Sequence, residues 1–322
     1  MYADTVITGK LVHKAWFLGL LLLIFTLILM PFNTANSFMG YALEPVIGDP
    51  QTSGLFGKLS TALMIALLLT ANIWVISILP QKWQLPVIWL QLGLGFFSTF
   101  AAFHLSLPFI QSKIWIIISK GLFTTIYISV ISIALAFVFA ITGAVAKLSS
   151  NTFAYGIATF YTSVFRGIPL LVQLFIIYLG IPQLGYVIDA VPAGIIALSL
   201  VYGAYMTEIF RAGIQSISKG QWEAARALGF GFGKTMRRII LPQAVPLIVP
   251  PTGNQFIAML KDSSLVSVIG VWELMFLART LGTRDFRHME MLVTVAVIYW
   301  IMTMVLEAIQ SRIEKHYQGK SR

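Results

Sequence analysis

The stretch EAARALGFGFGKTMRRIILP (Glu223–Pro242) ends its glycine run in Gly233-Lys234-Thr235, residue types that cradle phosphates in a nucleotide-binding loop. Such a loop requires G-x-x-x-x-G-K-[ST], so that successive backbone N–H groups surround the phosphates and the Lys reaches them. Counting back from Gly233 puts Leu228 where the first glycine belongs, and the preceding GQWEAARAL is a helix former rather than a buried strand. Spacing and context both argue against nucleotide binding. Other reactive chemistry is equally unsupported. The chain has no Cys, which removes thiol catalysis, disulfides and Cys-based metal sites. His13, His104, His288 and His316 are scattered, with no pair at ligand spacing. No HExxH, GxSxG or aspartyl dyad falls within an apolar segment, so an intramembrane enzyme lacks its parts.

What positions the remaining polar residues follows from composition. The 322 residues are 58% hydrophobic and 11% charged, with mean hydropathy +0.85. A soluble domain carries about 25% charged residues, so the bilayer must be this chain's solvent and the fold class is all-α integral membrane. The formal charge of +10 would suggest nucleic acid in a soluble protein; here it reflects Lys and Arg retained in cytoplasmic loops and contact with anionic lipid. A span needs about 20 mainly apolar residues. About eight transmembrane helices are expected, near 15–32, 59–79, 86–107, 115–145, 160–182, 190–210, 242–260 and 291–309. The fourth is too long for one straight span, so part of it should lie at an interface. Arg166 and Pro169 interrupt the fifth. The first resembles a signal peptide, but NTANS is a poor cleavage site, which favours an uncleaved helix.

With both termini cytoplasmic, 14 of the 22 Lys and Arg fall in inside segments and 7 outside (Lys58, Lys113, Lys120, Lys261, Arg279, Arg284, Arg287), Arg166 being unassigned. That bias supports the orientation. The three outer arginines between 279 and 287 run against it, and pairing with Asp285 and Glu290 would make them tolerable. Residues 1–112 read as an extension of three plain spans acting in scaffolding or assembly, whereas polar residues, prolines and a long basic loop accumulate from about 115 onward. No internal repeat of the kind common in secondary transporters is evident.

The long loop, about Arg211–Leu241, contains SISKGQWEAARALG, a short helix with both ends marked. Ser218 and Gln221 have capping-box spacing, and Gly229 sits where a left-handed C-terminal residue belongs. Ala224, Ala225 and Ala227 leave a thin surface for close approach by another protein, and a second basic helix, KTMRRIIL, leads to Pro242. Such a hairpin makes a docking knob; an amphipathic helix lying on lipid is the plainer alternative.

The same stretch resembles the EAA signature of bacterial ABC-importer membrane subunits, E-A-A-x3-G-x9-I-x-L-P, with Glu223, Ala224, Ala225, Gly229, Ile239, Leu241 and Pro242 all matching. FRGIPLLVQLFIIYLGIP, GAYMTEIFRAGIQSISKGQWEAARALG and LKDSSLVSVIGVWEL are similar to one branch, the polar amino-acid permeases of histidine/glutamine/glutamate type. The resemblance covers roughly 115–318. It implies a type I permease core of five spans (113–318) with the three-span extension (1–112) added, and a coupling helix at about 218–229 that includes Glu223, Ala224, Ala225, Arg226 and Gly229. It also implies an importer with a pair of ATPase subunits carrying ATP and Mg, a second permease subunit (a copy or a paralogue) and an external, periplasmic amino-acid-binding protein. The setting would be the bacterial inner membrane, with no cofactor and no catalysis on this chain. An ion-coupled secondary carrier or channel is the rival; it would need buried ion ligands and no ATPase, and the intact signature argues against it.

Several polar groups at membrane depth are candidates for the substrate route. Pro246, Pro250 and Pro251 predict a broken seventh helix in which Asn254 and Gln255 either line the route or bond neighbouring helices. Tyr202, Tyr205 and Glu208 share a helix face, and Glu208 has the spacing to pair with Arg211. Lys261 and Asp262 could serve a zwitterionic substrate or neutralise each other, and Gln173 is a lone amide. The orientation is testable because the chain is Cys-free: a Cys at Lys234 should stay unlabelled by an impermeant thiol reagent in intact cells, whereas one at Thr283 should label.

Overall fold

The computed structural model describes residues 13–32, 34, 42, 54–101 and 105–318. Lys10, His104, Lys320, Arg322 and the NTANS sequence other than Thr34 lie outside these, as does most of the stretch between the first two expected spans. Every element among the described residues is helical, and the chain forms two compact units, Met1–Ala102 and Phe103–Arg322.

In the first unit, α1 (Ala15–Leu29) packs on α2 (Gly54–Ile78). The buried side of α2 is made of Gly57, Thr61, Ala62, Ala66 and Thr70, small residues that let two helix backbones approach closely without a hydrophobic driving force. Helix α3 (Gln81–Ala101) begins five residues before the expected span and carries Pro86 inside it, at the cost of one backbone hydrogen bond. Asn72 and Gln91 exchange two amide hydrogen bonds of 3.0 and 3.1 Å and so tie α2 to α3.

The second unit is built on two long helices, α4 (Leu107–Leu148) and α7 (Ala190–Gln215). Small residues line their contact. A Cβ at Gly143 would stand 2.5 Å from Thr207 Oγ1, and one at Gly203 would stand 2.7 Å from both Phe139 Cβ and the Tyr161 hydroxyl. Around this pair lie α5 (Thr152–Gly167) and α6 (Leu170–Gln183), then α8 (Lys219–Ala227), α9 (Phe232–Ile269), α10 (Leu274–Arg284) and α11 (His288–Gln318). The over-long fourth segment is one continuous 42-residue helix, about 63 Å at 1.5 Å per residue, with a π-helical stretch at Ile117–Leu122. There Gly121 comes so close to α10 that a Cβ would lie 3.2 Å from Leu274 Cα.

The fifth segment is not a single rod. Ile168, preceding Pro169, is extended (φ −97°, ψ 137°), as the proline ring demands of its neighbour, and α5 and α6 meet at 106°. The seventh departs the other way. The expected break at the prolines is absent: α9 runs unbroken through Pro246, Pro250 and Pro251 and already includes Lys234–Arg238, so no separate second basic helix exists. By length and composition α2, α4, α7 and α11 can each cross a bilayer, and the bent pairs α5–α6 and α9–α10 raise the number to six. The expected eight therefore resolves into four to six among the described residues.

Replacing Gly143 by Leu should destabilise the α4–α7 contact by about 1–3 kcal/mol. A lower thermal midpoint in detergent is expected, with Gly156→Ala, where an added Cβ meets nothing within 4 Å, as the unaffected control.

Candidate functional site

The kink between α5 and α6 opens a cavity of about 500 Å³ against α7 and α9, lined by Arg166, Pro169, Tyr202, Tyr205, Gln255 and Asp262 among others. A turn that leaves helix carbonyls exposed at membrane depth must satisfy them within the protein. Gln173 does so, its Nε2 donating to Phe165 O (3.0 Å) and Ile168 O (2.7 Å). It is 4% exposed and is absent from the cavity lining, so this amide shapes the wall rather than facing a ligand.

Tyr202 donates to Asp262 Oδ2 at 2.7 Å and its ring lies 6.4 Å from that of Tyr205. Lys261 does not neutralise Asp262: it is exposed and forms no ion pair among the described residues. Asp262 is therefore left with a tyrosine donor and an open side toward the cavity. In the same lining, the Arg166 guanidinium sits 5.4 Å over the Tyr205 ring. Charge of both signs thus lines one chamber.

Glu208 lies one turn further along α7, outside the lining, at the centre of a cluster. Its Oε2 accepts from Arg211 Nε at 2.9 Å, as the spacing predicts, and its Oε1 bonds Lys147 of α4 and lies 3.9 Å from Arg166. Neither Lys147 nor the Arg166 contact was legible in the sequence, since α4 and α5 are distant along the chain. Asn254 faces the other way, accepting from Gln310 Nε2 of α11 at 3.0 Å, while its neighbour Gln255 faces the cavity. Consecutive residues lie 100° apart on a helix, and that angle separates their roles.

At the far end of α7 the loop forms the expected hairpin. Gly229 has φ +73°; Phe230 N donates to Ala225 O (3.0 Å) and Gly229 N to Arg226 O (2.9 Å). That is the paired bonding of a Schellman motif, closing α8 at the glycine. The start differs from expectation. Ser218 occupies the N-cap but makes no side-chain cap bond, and Gln221 instead accepts from Gln243 Nε2 at 3.2 Å, so the capping box does not form. Ala225 is fully buried and belongs to the inner face, leaving Glu223, Ala224, Arg226 and Ala227 outward. Trp222, missed by the sequence reading, stacks on Phe232 (6.2 Å, 26°) and fastens α8 to the start of α9. Glu223 has no ion-pair partner among the described residues. Among the described residues no group of three or more His, Cys, Asp and Glu could hold a metal.

Glu208→Gln should leave Lys147, whose side chain is 10% exposed, without its counter-charge and reduce stability by roughly 1–3 kcal/mol. The double variant with Lys147→Met should lose less than the sum of the single changes when thermal unfolding is compared.

Residues 138–319 match the family described as binding-protein-dependent transport system inner membrane component. The L-cystine transport system permease protein TcyB of Bacillus subtilis is 40% identical over 207 residues, covering 64% of this chain and 88% of its own. The arginine transport system permease protein ArtQ of the same organism is 42% identical over 199 residues, covering 62% and 91%. A crystal structure of an amino acid ABC transporter with histidines aligns with TM-score 0.62 at 37% identity, over 66% of this chain and 99% of that one. The inward-facing MetNI methionine ABC transporter shares the fold, with TM-score 0.54 at 20% identity. With the family match extending over more than half of its length, the chain belongs to the membrane-embedded permease subunits of binding-protein-dependent ABC transport systems.

Proposed function

We propose that this chain forms the route for an amino acid in an ATP-driven importer of the bacterial inner membrane, and that the kinked α5–α6 chamber receives the substrate. The observation that carries the reading is the opposed pair in one cavity, Arg166 over Tyr205 and Asp262 on Tyr202. A zwitterion presents a carboxylate and an ammonium a few ångströms apart. Arg166 suits the first as a planar donor, and Asp262 the second as an acceptor already oriented by Tyr202. Gln255 adds a neutral amide at the wall, and the similarity to cystine and arginine permeases supports this substrate class. Gln173 shapes the chamber wall, Glu208 anchors the neighbouring charge cluster and Asn254 ties α9 to α11, while Lys261 stays outside the lining.

In the same reading, Glu223, Ala224, Arg226 and Ala227 meet a groove on a separate ATPase subunit, which hydrolyses ATP, and Gly229 fixes the helix carrying them. Two permease subunits (copies or paralogues), two ATPases and an external amino-acid-binding protein make the working assembly. Both termini are cytoplasmic. Helices α1 and α3 complete eight crossings, with residues 1–112 serving assembly.

Isolation of the complex from membranes should recover an ATPase together with a bound amino acid; recovery of neither would overturn the reading. In liposomes, Asp262→Asn and Arg166→Met should each lower uptake by roughly 10–100-fold while leaving the subunits assembled. Gly229→Val, strained by about 1–2 kcal/mol at positive φ, should insert normally yet lose both uptake and substrate-stimulated ATP hydrolysis.

A further inference from the structure

At the end of the second unit away from the hairpin, two cations have no counter-charge. Pairing with Asp285 and Glu290 was the condition under which the three arginines of 279–287 would be tolerable there. Only one is paired: Arg287 meets Glu290 at 2.8 Å, while Asp285 is taken by Lys113 at 3.2 Å. Arg279 and Arg284 have no carboxylate partner among the described residues. Both are exposed, and with Ser267, Thr280 and Thr283 they line a cleft of about 500 Å³. The cleft wall is rigid. Leu274, Leu277, Ala278 and Leu281 bury the opposite face of α10, and Glu273, fully buried, caps its first turn by accepting from Met275 N and Phe276 N at 2.8 and 2.7 Å. Arg279 and Thr283, and Thr280 and Arg284, stand four residues apart and so form one stripe. Next to it Phe286 holds φ +53° and is 90% exposed.

We infer that this cleft and Phe286 form the docking surface for an acidic patch on the external amino-acid-binding protein. The inference rests on the importer reading and its orientation. Charge complementarity selects the occupant. A second copy of the chain, related by a two-fold axis, would bring the same arginines face to face. An acidic protein surface would neutralise them, and an exposed aromatic flanked by arginines is the composition of an interface centre. The positive-inside rule gives an outer arginine no role in insertion, so a partner on that side accounts for it.

The test uses the intact permease–ATPase complex in nanodiscs of neutral phosphatidylcholine, titrated with the binding protein identified from the native complex. For the wild type, the concentration giving half-maximal ATPase stimulation should rise with ionic strength. Arg279→Glu combined with Arg284→Glu should raise it by about tenfold or more at low salt and reverse the salt dependence, since salt then screens a repulsion, with basal hydrolysis and maximal stimulation retained. Phe286→Ser should raise it at every ionic strength. An unchanged half-maximal concentration in the double variant overturns the inference. So does loss of permease pairing, which would assign the face to the other subunit, or a defect seen only when anionic lipid is present. A wild type showing no stimulation at all would refute the importer reading itself, a different failure.

Discussion

A backbone that leaves helical geometry inside a membrane must find its hydrogen-bond partners in the protein, and this constraint organises the second unit. At the α5–α6 kink the freed carbonyls go to Gln173, and the chamber exists because that amide holds the corner open. At the α9–α10 bend the N–H groups go to Glu273 and to Thr125, which accepts from Leu274 N at 3.3 Å; Tyr299 steadies the carboxylate from α11 at 2.8 Å. At the hairpin, Gly229 closes α8 with its own chain. Each departure from a straight helix is matched by a specific donor or acceptor, and each gives the unit something a plain bundle lacks: a chamber, a rigid cleft wall, a knob.

Charge is handled by the same economy. Glu208 gathers Lys147 and Arg211, with Arg166 at the edge of reach, so α4, α5 and α7 are held at one level near the hairpin end. One turn away, Arg166 keeps only the 3.9 Å contact to Glu208 and rests against an aromatic ring, and Asp262 is held by a phenol, a weaker claim on a charge than a full counter-ion. A ligand with a carboxylate and an ammonium has less to displace there than at Glu208.

Much of this was legible in the sequence where the signal is local. Gly229 needed only its place after an alanine-rich helix, and Glu208–Arg211 needed only spacing. The apolar runs located the helices, while several of the helices extend five to ten residues beyond the apolar run at one end or both. What failed were inferences from residue type alone. Three internal prolines suggested a broken helix, yet α9 tolerates them, and the real kink belongs to Pro169, whose predecessor Ile168 is extended. Ala225 looked like part of an outward face because its neighbours are, but only helix phase relative to Trp222 and Phe232 decides which alanine turns inward. Lys261 and Asp262 are adjacent in sequence, yet only Asp262 lines the chamber. Arg166 was set aside as an interruption of an apolar run, although a charge beside a proline kink within an apolar run is the circumstance in which a cavity should be sought.

The continuity of α9 has a mechanical meaning. From Thr235 beside the hairpin to Asp262 in the chamber is one helix, about 40 Å of unbroken rod at 1.5 Å per residue. A rod that tilts about a point near its middle carries its two ends in opposite directions. Drawing the hairpin end of α9 inward would therefore swing the Asp262 end outward, and Asp262 would leave the lining it shares with Arg166 in the same movement. A helix broken at its prolines would have absorbed that tilt as bending; this one makes the grip on a ligand and the position of the hairpin two readings of a single angle.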